Sequence, residues 1–466
     1  MSVSQPPPRI SLARAWLLRG QIERARLTYE AFLAEDPSCL DGWLQLGELE
    51  VHANRLAVAL AHYQRAAALA PHTPGLGSRL RHLEELQQLA TGAAPPTRQN
   101  AEGLLLEDQP GGRLDLRDQL RFGCHRSGWG AGLDALRPLH HRGGVRFDGF
   151  LERNFAWRHG HAGSRPTAEL LRLKRDGLFD QEATSEELGL TPYREPWVGV
   201  MHNPPRMPAW FHPADAPQTI LAKRIWRESL PFCRGLFTLS QTHAAWLRQH
   251  TLVPVSALIH PTAMPEIVFD FNAFLANRHR RIVQVGWWLR RLNAIRELPL
   301  AADNPLGYSK LRLVPAFFEG ADGYLRELME RELRETGGSI DPSFEANTEE
   351  LAHLADAAYD QLLAENIVFV QLYDASANNT VVECLARGTP LLINPLPAVI
   401  EYLGADYPLY YDDLETAVRL ALDTGRIRAA QEHMLANPVR KQLDPARFRE
   451  RLEASEIFQS LPPCGV

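Results

Sequence analysis

The chain has 466 residues, room for about three domains, and 45% of them are hydrophobic, which is ordinary for a globular protein. Its formal charge of −6, from 50 basic and 56 acidic residues, argues against a dedicated nucleic-acid binder. Five scattered cysteines (Cys39, Cys124, Cys233, Cys384 and Cys464) form no CxxC pair and no His/Cys cluster, so no metal site is expected and the thiols read as reduced and cytoplasmic. The opening MSVSQPPPRI does not read as a signal peptide, and no apolar run approaches membrane-spanning length.

In residues 1–92, Ala25, Tyr29 and Pro37 recur as Ala59, Tyr63 and Pro71, each 34 residues later. Trp43, Leu46 and Gly47 add the opening of the second unit, and Leu80–Leu89 supplies a capping helix. Small alanines let paired helices approach, tyrosines fill the space between them, and the prolines end each second helix. This period and these residue types resemble the tetratricopeptide repeat, a helix–turn–helix unit. The resemblance implies an all-α module whose concave face docks a protein or peptide. The plainer reading is a stabilising appendage that also makes a homodimer.

Residues 93–112 are rich in Pro, Gly and polar side chains and read as a linker, with Leu104–Leu106 as an edge strand. Residues 113–270 read as a first α/β domain. Leu120–Cys124 is a strand leading into His125-Arg-Ser-Gly-Trp129 and a helical stretch to Leu139. Trp197–Met201, Gly235–Leu239 and Val255–Ile259 are further strands, ending in His202-Asn203, Ser240 and His260-Pro261, with Thr242–His250 helical. Polar residues thus recur at strand carboxyl ends, where open α/β sheets bind ligands.

Residues 271–443 read as a second α/β domain. The strand RIVQVG, Arg281–Gly286, is followed by Trp287, Trp288, Arg290 and Arg291. Arginine suits a diphosphate because its planar fork grips oxygens in pairs. Leu311–Pro315 is a strand, and Phe344–Glu365 is expected to be one helix. Ile367–Tyr373 is short and apolar, the pattern of a strand buried on both faces. Asn378 or Asn379 can cap the helix over Thr380–Ala386; Gly388 stops it and Pro390 prevents its continuation. Leu391–Asn394 is the next strand, and Glu401 lies in the helix after it. Glu383 shares a helix face with Asn379, where a carboxylate can accept from two ribose hydroxyls. The remaining 444–466 hold a helix over Asp444–Ala454.

The run from Asp374 to Glu383, the strand ending in Gly286 with two arginines after it, and the strand–His202–Asn203 turn together resemble the retaining, group 1-like GT-B glycosyltransferases. The usual Gly-rich loop is replaced by Asn378-Asn379, and Asp374 sits one position from the expected acid. The resemblance implies two Rossmann-like domains facing a cleft, with the segment 444–466 crossing back to the first. It implies a nucleotide-sugar donor whose diphosphate meets Arg290, Arg291 and the Asn378–Asn379–Thr380 corner. Glu383 and Glu401 would also bind the donor, and His202 would act beside the sugar. No cofactor or metal is implied. The join of repeats to GT-B halves is similar in architecture to O-linked N-acetylglucosamine transferases, which implies a protein or peptide acceptor. The alternatives are a non-catalytic scaffold with a degenerate GT-B fold and a transferase acting on a cell-surface glycan precursor. No Walker loop, HExxH or GxSxG motif is present.

Overall fold

The computed structural model describes residues 22–52, 55–70, 106–117, 129–156, 192–314, 321–345, 347–351, 354 and 356–464, with 12, 13, 16, 76 and 80. Helices Ile22–Glu35, Leu40–His52 and Leu56–Leu69 pack one on the next. Ala25, Tyr29, Ala59 and Tyr63 are all buried between them. Gly47 lies against the Tyr63 ring, where even a Cβ would come within 2.8 Å of a ring carbon. The expected capping helix lies outside the described residues apart from Leu80.

Among the described residues, strands form two five-stranded sheets, parallel throughout. The first sheet holds β1 (Leu114–Asp115), β2 (Val145–Asp148), β3 (Trp197–Met201), β4 (Cys233–Thr238) and β5 (Val255–Ala257), in that spatial order. Every residue of β3 is buried, as a strand covered on both faces requires. β1 and β2 have no counterpart in the sequence reading: β1 spans two residues, and β2 four, behind Gly143-Gly144. The predicted strand Leu120–Cys124 and His125 lie outside the described residues, as do Leu104 and Leu105.

The second sheet comprises β6 (Arg281–Gln284), β7 (Ser309–Leu313), β8 (Thr348–Leu351), β9 (Ile367–Val370) and β10 (Leu391–Ile393), in spatial order β10-β9-β6-β7-β8. The chain starts at the central β6, builds outward through β7 and β8, then returns to the other side of β6 with β9 and β10. The order therefore reverses between β6 and β9, and the crevice over that point is where such sheets take ligands.

One expectation is corrected here. Phe344–Glu365 is not a single helix but the end of helix Pro342–Glu345, strand β8 and helix Asp356–Glu365. β8 is an edge strand, with Glu349 and Glu350 exposed and paired with Arg281 of β6 and Arg312 of β7. Charge on an edge blunts unwanted strand pairing, and two glutamates in a row give a helical reading when only the sequence is seen.

Helices Pro445–Glu453 and Glu456–Gln459 pack on the first sheet. Phe448 meets Trp129 edge-on at 5.7 Å, and Leu452, Ile457, Phe458 and Leu461 share a core with Phe147, Val198 and Phe237. The Arg113 guanidinium donates to the carbonyls of Phe458, Gln459 and Leu461.

Candidate functional site

The loop after β6 turns back on itself sharply. Gly286 has φ 77°, and Leu289 has φ 55°, a left-handed conformation that costs a branched side chain about 1–2 kcal/mol. The turn lays the Arg290 side chain over Gly286, where a Cβ would lie 2.6 Å from the guanidinium carbon, so only glycine fits. Arg290 is 7% exposed. Its Nη1 donates to the Trp288 carbonyl at 2.9 Å, and its Nη2 to Asn378 Oδ1 at 3.1 Å and Thr380 Oγ1 at 2.8 Å. None of these partners is a carboxylate, and its buried Nε has no hydrogen-bond partner. Burial pushes the guanidinium down to about 10, opposed by Tyr359 and Glu383. At neutral pH it is thus still a cation, buried beside neutral partners.

The other wall of the crevice follows β9. Asn378 caps helix Asn379–Arg387: its Oδ1 accepts from Thr380 N at 3.0 Å as well as from Arg290. Gly388 ends the helix in the left-handed region at φ 71°. A helix N-terminus favours anions through its free amides and dipole. The guanidinium and the helix start therefore meet directly above the point of strand-order reversal. Asn379, the first helical residue, is half-buried there. One helical turn further on, Glu383 is buried and accepts from the Tyr359 hydroxyl at 2.6 Å.

The remaining predicted residues lie elsewhere. Arg291 is ion-paired with Glu297 and donates its amide to the Gln371 carbonyl at 2.8 Å, so its charge is spent away from the Asn378–Thr380 corner. Both oxygens of Glu401 are taken by the first-sheet side: Oε2 accepts from Gln241 N and Oε1 from Thr242 N, each at 2.7 Å. They cap helix Gln241–Arg248 from across the crevice. His202 stands at the carboxyl end of β3, edge-on to Trp129 at 4.7 Å and to Phe150 at 4.7 Å. Its Nε2 lies 2.9 Å from the Gly149 carbonyl, which makes it the protonated nitrogen of a neutral ring. Burial pushes the imidazole down to about 3, with the Gly149 carbonyl opposing.

Further side chains on the same faces connect the two halves of the site. Asp374 accepts from Arg206 N at 2.8 Å, and its other oxygen lies 3.7 Å from the Arg206 guanidinium. Ser376 Oγ accepts from Leu239 N at 3.3 Å and sits 2.8 Å from His243 Nδ1. Tyr402 donates its hydroxyl to the Leu239 carbonyl at 2.7 Å and accepts from His260 N at 2.9 Å. The Trp288 indole donates to Asn203 Oδ1 at 3.0 Å. All four residues, Asp374, Ser376, Tyr402 and Trp288, thus join the second-sheet side to the first. Glu152, in the helix after β2, was missed because β2 itself was not read as a strand.

No protein-family profile and no curated protein matches the chain. Solved structures do overlap with it. Anabaena HepE, in complex with UDP and glucose, does so at 14% identity and TM-score 0.44, over 63% of this chain and 77% of that one. The trehalose-6-phosphate synthase OtsA overlaps at 13% identity and TM-score 0.42, over 72% and 76%. The α,α-trehalose 6-phosphate synthase of Burkholderia multivorans overlaps at 14% and 0.40, over 71% and 76%. These likenesses are too distant to identify the chain, and the site stands on its own geometry.

Proposed function

We propose that the chain is a nucleotide-sugar-dependent glycosyltransferase of the GT-B type. The observation that carries this reading is Arg290: a buried cation without a carboxylate partner, fixed at a helix N-terminus over a strand-order reversal. Burying a charge whose hydrogen-bond partners are all neutral is costly, the Glu383 carboxylate acting on it only at longer range, and a diphosphate supplies a close anion. In transfer, the bond from the anomeric carbon to the diphosphate oxygen breaks and a bond to an acceptor oxygen forms; the acceptor releases its proton. The departing nucleoside diphosphate gathers negative charge where Arg290 and the helix dipole lie, the place where such charge is best stabilised. Those two groups supply the stabilisation without a metal. Glu383, with Tyr359 holding one of its oxygens, lies one helical turn from the phosphate corner and suits the ribose hydroxyls. Asn379 contributes its first-turn backbone. His202, at the carboxyl end of β3, is assigned a place beside the sugar. Arg291 and Glu401 act at one remove, through Gln371 and through helix Gln241–Arg248.

The N-terminal helices are assigned the acceptor, a protein or peptide held on their groove, in a cytoplasmic enzyme. A scaffold without turnover is the second reading. It is favoured by Asp374 and Glu401, whose carboxylates hold the two sheets to each other.

The deciding experiment is a thermal-shift and calorimetric titration with nucleoside diphosphates, their monophosphates and their sugars. A nucleoside diphosphate at 100 times its dissociation constant is expected to add about 2.7 kcal/mol of stability. Arg290→Met should weaken it by about ten- to a hundredfold, the loss of one or two charge-assisted bonds. Absence of any diphosphate binding overturns the proposal. Binding without donor hydrolysis or transfer favours the scaffold.

A further inference from the structure

The turn that carries His202 is held by a carboxylate from a neighbouring connection. Glu152 lies in helix Leu151–Ala156, which follows β2, and is 0% exposed. Its Oε1 alone accepts from two successive backbone amides, His202 N at 2.7 Å and Asn203 N at 2.6 Å. Asn203 is itself buried. Its Nδ2 donates to the Asp215 carbonyl at 3.0 Å, and its Oδ1 accepts from the Trp288 indole at 3.0 Å. The Trp288 carbonyl then accepts from Arg290 at 2.9 Å. A continuous run of hydrogen bonds thus leads from Glu152 through Asn203 and Trp288 to the guanidinium of the anion site. Buried amides of this kind cannot be left without an acceptor cheaply.

We infer that Glu152 and Asn203 are positioning residues for glycosyl transfer. Glu152 sets the His202–Asn203 turn, and Asn203 ties that turn, through Trp288, to the loop that presents Arg290. The inference rests on the glycosyltransferase reading. Its distinctive content is a separation of effects: the diphosphate is gripped by second-sheet groups alone, whereas turnover needs the first-sheet turn held at a fixed place against them. Substitutions in the run should therefore lower kcat and leave nucleotide affinity nearly untouched.

The experiment compares the full chain with Glu152→Ala, Glu152→Gln and Trp288→Phe, using nucleoside-diphosphate calorimetry, donor turnover and amide hydrogen exchange at His202 and Asn203. Glu152→Ala is expected to speed exchange at both amides by about tenfold or more and to lower kcat by about ten- to a hundredfold, for two lost acceptor contacts. Its nucleotide Kd should stay within about threefold of the parent, because the run ends on a guanidinium that Asn378 and Thr380 also hold. Glu152→Gln keeps an oxygen in the accepting place and should restore both protection and most of the turnover. Trp288→Phe deletes the indole N–H together with part of the ring that packs on Phe211, His212 and Trp287, and should lower kcat by at least about fivefold with Kd unchanged. Unaltered exchange and turnover in Glu152→Ala overturn the inference, as does a Kd that weakens in step with kcat. Should Glu152→Ala not fold, Trp288→Phe decides alone. Absence of nucleotide binding by the parent chain refutes the glycosyltransferase reading instead, and the exchange data still report whether Glu152 holds the turn.

Discussion

Arg290 shows how a single side chain can be placed against the interest of the fold. Its guanidinium has been removed from water and given only neutral hydrogen-bond partners. Replacing it with the similarly sized, uncharged Met should therefore raise the thermal midpoint of the ligand-free protein by a few degrees while weakening diphosphate binding by about ten- to a hundredfold; unfolding curves with and without nucleotide check both halves. Glu152 makes a related statement about pH. Burial raises its carboxyl to about 7, opposed by the amides of Asn203 and His202, with the nearby Asp215 adding to the rise. An acid with a raised pKa in the folded state binds its proton more tightly there, so its contribution is full below about 4.5 and is lost as pH rises through about 7. Denaturant titrations should find Glu152→Gln gaining on the parent by roughly 2–3 kcal/mol between pH 5 and pH 8. His202 was legible as a polar residue ending an apolar strand. Glu152 was not, since its place is set by residues some fifty positions away.

At the scale of elements, legibility tracks locality. The stretch from β9 to helix Pro397–Leu403 folds as its sequence reads, because each instruction acts within a few residues: Asn378 caps, Gly388 takes the left-handed turn, and Pro397 begins the next helix. β8 was misread because an exposed edge strand carries no alternating pattern to betray it. The donor roles of Arg291 and Glu401 come from a family resemblance, and a resemblance cannot show that Glu297 and the Gln241–Thr242 amides claim them. The end of β6 offers a sharp test. Gly286→Ala meets both a positive φ and the Arg290 guanidinium, so its stability loss should be modest, about 1–2 kcal/mol, with diphosphate affinity falling at least tenfold. Equal affinity in that variant would detach the guanidinium from the ligand. Deleting 1–92 tests the helical module: if it docks the acceptor, donor hydrolysis survives and transfer to the natural acceptor is lost. Equal retention of both activities removes the docking assignment.

For the whole molecule, three imidazoles near the junction between the sheets, two buried and one half-buried, contribute to its response to acid. Burial pushes His202 and His243 down to about 3 and His260 to about 4. Their contribution is intact above the ordinary histidine value near 6.5 and is lost as pH falls through the shifted values, since the unfolded chain then binds protons that the folded one refuses. Stability should therefore fall steeply below pH 6, with net proton uptake on unfolding, measurable by calorimetry in buffers of different ionisation enthalpy. His243→Asn should soften that slope.

The carboxyl-terminal helices bear on how the molecule is made. Arg113, beside β1, finds the Phe458 carbonyl 345 residues later. At roughly 5–20 residues per second, a ribosome needs some tens of seconds to deliver that partner. During that interval the second sheet, contiguous in the chain from β6 to β10, can close, while the apolar face awaiting Phe448 and Ile457 stays uncovered. The half synthesised first is thus the half completed last, and it is the nascent first sheet that a chaperone would be called on to shield.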